Sequence, residues 1–573
     1  MLEAVIVSTR LNGSDLMFVL GFECGFDDII LGTTDTLIVK TLISRQIIYL
    51  VCGSLLFGAV CCGTTQPATH IEDRLALLMP DDFEALQLVA WRVEIGTPDS
   101  HNPLVEPGTP WDAGGIMAHG TVARDPIDGL WKAWQVSTPQ EADLAGLKSV
   151  HEHRRRLTYF ESKDGVTWVR PMLPIVQWPG YERTNILLDL DSGGTAVYAS
   201  VLIDQSNGEY PYEMFVMRSP QLAGTENRVG HLPGPTKKLG MYRYVSKDGK
   251  EWIVKEGPVD ALPHGDVCYV YRQNDGSYVS YFKAYPPLES GARIIVYDVN
   301  ALQLQRSVGR RTSPEGSKWG DEKIVLRRDW RDPDYAQYLE LTRIAVPGGY
   351  VGFVTNYDAV TQCLALEMVA SRDGIRWWRP DRRKALGNAA LGDFGGGMIW
   401  QMHSPIREGN KLHVYYAGTE GIHSAIVDTR FEPQIELGNE KVLGFRKGTL
   451  PFYSALCRAS WEYDRLYALA SAVGGPMPAE AVTRVRSDIG DRTIMVNVRV
   501  NDNGKFRAEL LDADGKPVPG FTLEDCIPIT GDHRSISLRW TGGEVAPVAA
   551  CKIRFVFNRS FLYGFEPRRR GGN

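Results

Sequence analysis

The chain has no C-x-x-C pair, and the five cysteines of its body, Cys268, Cys363, Cys457, Cys526 and Cys551, are odd in number and far apart. That pattern signals neither a zinc site nor a disulfide framework, and leaves Cys526 with Cys551 as the single pair to test. Basic residues form no stripe and only short runs, as in HRRR at 153–156, DRRK at 381–384 and the terminal PRRRGGN; 63 Lys and Arg against 69 Asp and Glu give a net charge of −6. A phosphate backbone finds no basic surface there, which excludes nucleic acid as a partner class. No apolar run reaches the twenty or so residues that a membrane span takes.

What is present is aromatic and turn-forming. Fourteen Trp and twenty-four Tyr are spread among 58 Gly and 33 Pro, and 43% of residues are hydrophobic. Such a composition suits many short strands joined by tight turns, so the fold class is all-β. A length of 573 residues exceeds one ordinary core and predicts two folded domains plus a leader.

The leader is residues 1–63. In LISRQIIYLVCGSLLFGAVCC, Leu42 to Cys62, Arg45 precedes an apolar run, and Gly58 and Ala59 lead into the polar GTTQPATH. This is a signal-peptide pattern, which predicts a secreted, periplasmic or cell-surface protein with no membrane span once processed. Its alternatives are a buried strand or a single anchor. Cys61 or Cys62 is the candidate lipid acceptor of a lipoprotein, and the real start of translation is expected downstream of Met1.

An internal repeat sets the architecture. The string S-[K/R]-D-G-x-x-W occurs at Ser162–Trp168, Ser246–Trp252 and Ser371–Trp377, each time after an alternating apolar stretch. Asp-Gly supplies the hairpin turn and Trp starts the next strand, so Asp164, Asp248 and Asp373 are turn formers. A strand, Gly turn and aromatic strand precede each copy, as in LTRIAVPGGYVGFVTNY, and two further units, HGDVCYVYRQNDGSYVSYF and MHSPIREGNKLHVYYAG, share the form without the Trp motif. Five four-stranded units fit, which predicts a lead-in over 64–110, a five-bladed β-propeller over 111–440 and a bridging segment over 441–480. Runs such as TIMVNVRV and CKIRFVFN, separated by Asp-Gly and Pro-Gly turns, predict a β-sandwich domain over 481–567.

These units resemble the five-bladed propellers of glycoside hydrolase families 32, 43 and 68, and the order of propeller then sandwich is similar to family 32, the invertase and fructanase group. The terminal AELLDADGKPVPGF…LRWTGG resembles the last domain of secreted family 32-like proteins. The resemblance covers roughly residues 111 to 567 and implies three carboxylates in an axial funnel: a base or nucleophile, a stabilising Asp and a Glu acid. Breaking a glycosidic bond takes one protonated acid at the leaving oxygen and one ionised carboxylate on the opposite face of the sugar. The family 32 motif W-M-N-D-P-N-G is absent; GIMAHGTVARDP stands in its place, with His119 where the Asp would be.

The resemblance therefore implies an exported glycoside hydrolase-like protein acting on a poly- or oligosaccharide. Glu340 is the proton donor, Asp266 the base or nucleophile, and Asp332, in an Arg-Asp-Pro triplet, the stabiliser. Each has a structural alternative: Asp332 as a turn cap, Glu340 and Asp266 in ion pairs. His119, Arg183, His264, Arg331, Trp400 and His403 are the substrate-binding candidates, with Tyr181 and Tyr335 as further stacking faces. The three histidines suit a divalent metal, a sugar hydroxyl or a backbone carbonyl, and no cofactor is called for. A carbohydrate-binding propeller without catalysis is the rival reading.

Overall fold

The computed structural model describes residues 3–11, 14–22, 77–139, 155–188, 195–219, 228–229, 232–233, 240–260, 267–286, 305–390, 393–423, 454–471 and 477–569. They belong to two compact units, residues 1–71 and 72–573. In the first, the described part is one antiparallel hairpin, Glu3–Leu11 with Ser14–Phe22. The apolar run at 42–62, with Cys61 and Cys62, lies outside the described residues.

The second unit is all-β, with one short 3-10 turn at Pro80–Asp82 among its described residues. No helix among the described residues is long and apolar enough to cross a membrane. Gly115–Arg124, Trp131–Thr138, Arg156–Ser162 and Trp168–Val169 pair antiparallel in chain order. The same meander recurs from Thr195–Ile203 to Trp252–Asp260, from Cys268–Arg272 to Lys323–Leu326, and from Ala336–Val346 to Lys384–Leu386. A last group runs Met398–Gln401, Lys411–Thr419 and Ser454–Glu462, and its outermost strand is Thr97–Pro98, drawn from ahead of the first group. A strand taken from upstream of the first meander thus closes the last, so no long edge is left there for another chain to pair with.

Side chains on the first strand of each group bond laterally. Thr121 Oγ1 donates to Ala199 O (2.8 Å), Ser200 Oγ accepts from Val270 N (3.0 Å), and Thr342 Oγ1 donates to Gln401 Oε1 (2.7 Å). His403 N donates to Gly120 O at 2.7 Å. These first strands therefore face one another around a common axis, the arrangement that the repeat predicts. Because each group runs up and down, its Ser-Asp-Gly turns lie on one face, and the segments leading into the inner strands lie on the other.

The Ser-Asp-Gly turns are built alike. Asp164 Oδ1 accepts from Val166 N and Thr167 N, at 2.8 and 2.7 Å, and Ser162 Oγ accepts from Gly165 N at 2.9 Å. Asp248 and Asp373 repeat this. The glycine has φ near +70°, and its carbonyl takes a bond from the preceding sheet: Trp134 Nε1 to Gly249 O (2.6 Å), Tyr281 OH to Gly374 O (2.7 Å), Tyr415 OH to Gly165 O (2.8 Å). The motif is thus a latch between neighbours, and the last of these bonds joins the fifth group to the first. A fourth copy, Ser313-Pro-Glu-Gly316-Ser-Lys-Trp319, keeps the Ser Oγ to Gly N bond (2.9 Å) without the Asp.

The bridging segment contributes to both bodies: Ser454–Glu462 completes the fifth group, and Tyr467–Ser471 joins the C-terminal sheet. The lead-in does likewise, since Phe83–Gln87 and Val89–Val93 pair with Ala479–Thr483 and Tyr467–Ser471. The C-terminal strands hydrogen-bond as one sheet, because Arg492–Leu511 and Lys552–Arg569 run its full length and bend past irregularities at Val500/Lys505. Its core of Phe506, Phe555, Phe557 and Trp540 is continuous with the fourth and fifth groups; Trp91 meets Trp378 at 4.7 Å and Phe353 meets Trp461 at 4.8 Å. Each buried aromatic contributes roughly 2–3 kcal/mol. Cys526 and Cys551 are free thiols, not a disulfide.

Candidate active site

Three inner strands carry an irregularity at mid-length, between Met117 and Thr121, Val197 and Ser200, and Tyr338 and Leu341. Bulges re-aim side chains, and these bring one residue each toward the axis. His119 and Tyr198 take left-handed backbone (φ +58° and +60°), a costly conformation for residues with a Cβ. His119 Nδ1 lies 3.4 Å from Glu340 Oε1, and its ring packs at 4.4 Å against Tyr198 and 4.8 Å against Trp400. Glu340 is only 1% exposed.

The carboxylate is oriented from behind. Thr355 Oγ1 donates to Glu340 Oε2 at 2.9 Å, and Gln401 Nε2 donates to Thr355 Oγ1 at 3.1 Å. Gln401 is held in turn by Thr342 and, through its carbonyl, by Tyr269 OH at 2.6 Å. Burial, with the nearby Glu340 charge, raises the Tyr269 phenol well above its ordinary range and keeps it a donor. Glu340 Oε1 has no hydrogen bond among the described residues, so one oxygen is fixed while the other faces His119. A carboxyl and an imidazole this close can hold or pass a proton.

His403 has another task. Its Nε2 bonds Val270 O at 2.8 Å, its ring stacks on Tyr271 at 4.4 Å, and burial, with the Arg343 charge, lowers its pKa to about 4. It is a neutral strut between inner strands. Trp400 is buried against His119 and the His423 ring, 5.8 Å away. His264 and Asp266 lie outside the described residues.

Asp332 has both oxygens engaged: Arg379 Nη1 reaches Oδ2 at 2.7 Å and Arg382 Nη1 reaches Oδ1 at 2.6 Å. Arg379 also binds Glu367 and Tyr338, and Arg382 binds Asp329. Burial opposes ionisation of Asp332, but the hydrogen bond and charge of Arg379 outweigh it and hold the carboxyl below its usual range. The Arg-Asp-Pro triplet here ends in an ion-pair network and a turn, with Asp332 N donating to Asp329 O. Arg331 is on that turn, paired with Asp329 at 3.2 Å. Arg183 Nε bonds Met172 O, Tyr181 packs edge-on to Trp111 at 5.2 Å, and Tyr335 packs half-buried on the propeller core.

Tyr198, Tyr269, Thr355 and Gln401 complete the site and are not among the sequence candidates. Gln401 directly follows Trp400, and Thr355 sits in the quoted VGFVTNY strand, but neither has a motif of its own. The bulge that turns Tyr198 inward leaves no mark in the alternation.

No protein family matches the chain, and no curated protein does. Solved structures similar to it include a beta-1,2-mannobiose phosphorylase from Listeria innocua, at 12% identity, covering 65% of this chain and 98% of the other with a TM-score of 0.41. Another is from work on the GH130 family of mannoside phosphorylases and its glycoside hydrolases that target beta-1,2 mannosidic linkages, at 12%, 68% and 97%, with 0.39. A third is an N-acetylgalactosamine deacetylase from F. plautii, at 13%, 68% and 94%, with 0.38. Likeness at this level does not reach the side chains of a site.

Proposed function

We propose that the protein is an exported glycoside hydrolase-like enzyme that cleaves a poly- or oligosaccharide at the propeller axis. The observation that carries this is the Glu340–His119 pair, a buried carboxyl fixed on one oxygen by Thr355 and set among Tyr198 and Trp400. In this reading Glu340 delivers the proton to the leaving glycosidic oxygen, and His119 orients that carboxyl. The second carboxylate is assigned from the sequence to Asp266, in PHGDVCYVY, which would activate water or attack the anomeric carbon. Asp332 serves the fold, with both oxygens paired to Arg379 and Arg382. The leader pattern over Leu42–Cys62 supports export, with lipid attachment at Cys61 or Cys62 as its extension.

The test is hydrolysis of aryl glycosides, fructans, arabinans and uronic or sulfated glycans by the protein and by Glu340→Gln. Loss of at least about a hundredfold in the variant supports acid catalysis and names the sugar.

One observation favours a second reading. Glu340 and His119 are both almost fully enclosed, 1% exposed each. Enclosure of that kind also suits a structural polar pair beneath a binding surface, so a carbohydrate-binding propeller without turnover is the alternative. Glycan binding with no hydrolysis in any arm of the panel selects it.

A further inference from the structure

All fourteen tryptophans are within the described residues, and thirteen of them are buried or half-buried. Trp330 is 89% exposed. An indole held in water is costly, and this one is not on a loose loop. Its turn is pinned on both sides: Asp329 N donates to Asp332 Oδ2 (2.9 Å), Arg331 N donates to Asp329 Oδ1 (2.9 Å), and Asp332 N donates to Asp329 O (3.0 Å). Arg382 clamps Asp329 and Asp332 together, and Arg379 ties Asp332 to the buried Glu367. The ion-pair network thus fixes a turn whose outward product is one bare indole face.

Over one face of it stands a planar donor, which also pairs with Asp329. The Arg331 guanidinium stands 5.8 Å from the Trp330 ring, with its side chain 55% exposed. The turn leads directly into Ala336–Val346, the strand that carries Glu340, so it lies on the face where the inner strands begin. Glu340 is four residues, about 13 Å, from the start of that strand, and Trp330 lies six residues before the start. Trp330 is 89% exposed and Glu340 1%, so the indole stands outside the enclosed axial pair and would meet a different ring of the ligand.

We infer that Trp330 is the stacking platform of a remote glycan subsite, with Arg331 as donor to hydroxyl or carboxylate groups of the sugar seated on it. The inference rests on the carbohydrate reading above and adds that the ligand is a chain of several sugars. A flat apolar face with donors at its edge matches the C–H face and equatorial oxygens of a pyranose or furanose, and its fixed turn reduces the ordering cost of binding. The carboxylates of the turn are already paired with arginines, so they do not repel an acidic sugar.

The test is affinity electrophoresis of the full chain through gels containing inulin, arabinan, polygalacturonate or carrageenan, alongside Trp330→Ala and Trp330→Tyr. The expected result is retardation of the parent by one of them, weakened roughly threefold to tenfold in Trp330→Ala and largely kept in Trp330→Tyr, with the unfolding midpoint unchanged. Equal retardation of parent and Trp330→Ala overturns the inference and leaves the axial reading standing. No retardation of the parent in any gel overturns both. Light scattering supplies the remaining arm: an oligomer that Trp330→Ala dissociates, with glycan retardation unchanged, makes Trp330 a contact between copies and overturns the subsite.

Discussion

Glu340 and His119 meet across the propeller axis, Oε1 to Nδ1 at 3.4 Å, from the inner strands of the fourth and first sheets. Residues more than two hundred positions apart are brought together only because three inner strands bulge at the same depth. The site is therefore a property of the closed ring, and its chemistry depends on the latches that close it.

Removing one latch should loosen the ring without touching the site. Tyr281→Phe deletes one of the two donors to Gly374 O and leaves the carbonyl with the 3.2 Å bond from Trp377 Nε1. The expected loss is about 0.5–1.5 kcal/mol, read as a lower urea midpoint, with activity per folded molecule unchanged.

Asp332 separates structural from catalytic use of the Arg-Asp-Pro triplet. Asp332→Asn removes the charge facing Arg379 and Arg382, and should cost about 3 kcal/mol of stability. Turnover of the folded variant should stay within a few-fold of the parent; a loss of a hundredfold or more in kcat at an unchanged urea midpoint contradicts the structural assignment.

Stability should fall with acid in two stages. His403 and His413 each titrate near pH 4 in the fold, lowered mainly by burial, against about 6.5 in the unfolded chain. The unfolded chain takes up these protons first, so stability is full above about pH 6.5 and declines toward pH 4, by at most about 3 kcal/mol per histidine. Asp164 and Asp373, whose turn amides hold them near 2, act in the same direction between about pH 4 and 2. Urea midpoints measured from pH 7 to 4 should show the first decline, and His403→Gln, which keeps a donor for Val270 O, should flatten it.

Thr355 tests orientation of the acid. Thr355→Val keeps shape and loses the 2.9 Å bond to Glu340 Oε2. The expectation is a fall in kcat of about tenfold or more with KM little changed, since the lost contact aims the carboxyl and touches no substrate.

The repeat made the propeller legible because a turn repeats chemistry as well as shape: Ser162, Asp164 and Gly165 each make a bond that the sequence spells out. The copy at Ser313–Trp319 has no signature in the sequence because Pro314 and Glu315 replace the residues that mark the others, although the Ser to Gly bond survives. Glu340 and His119 were readable as polar residues on inner strands. Their meeting was not, since the bulges beside them interrupt the two-residue period on which facing is judged. Asp332 misled for the opposite reason. Its triplet is local, but its partners Arg379 and Arg382 arrive from nearly fifty residues away. The lead-in and the C-terminal sheet looked separate in the chain because pairing such as Val93 with Tyr467 has no local signature.

The most direct measurement is turnover and glycan binding by the parent, Glu340→Gln and His119→Gln on the same polysaccharide panel. The account predicts hydrolysis of one glycan by the parent, a loss of at least about a hundredfold in Glu340→Gln and a smaller loss in His119→Gln, with binding of that glycan retained in both. Hydrolysis that survives Glu340→Gln would contradict it and move catalysis away from the axis pair.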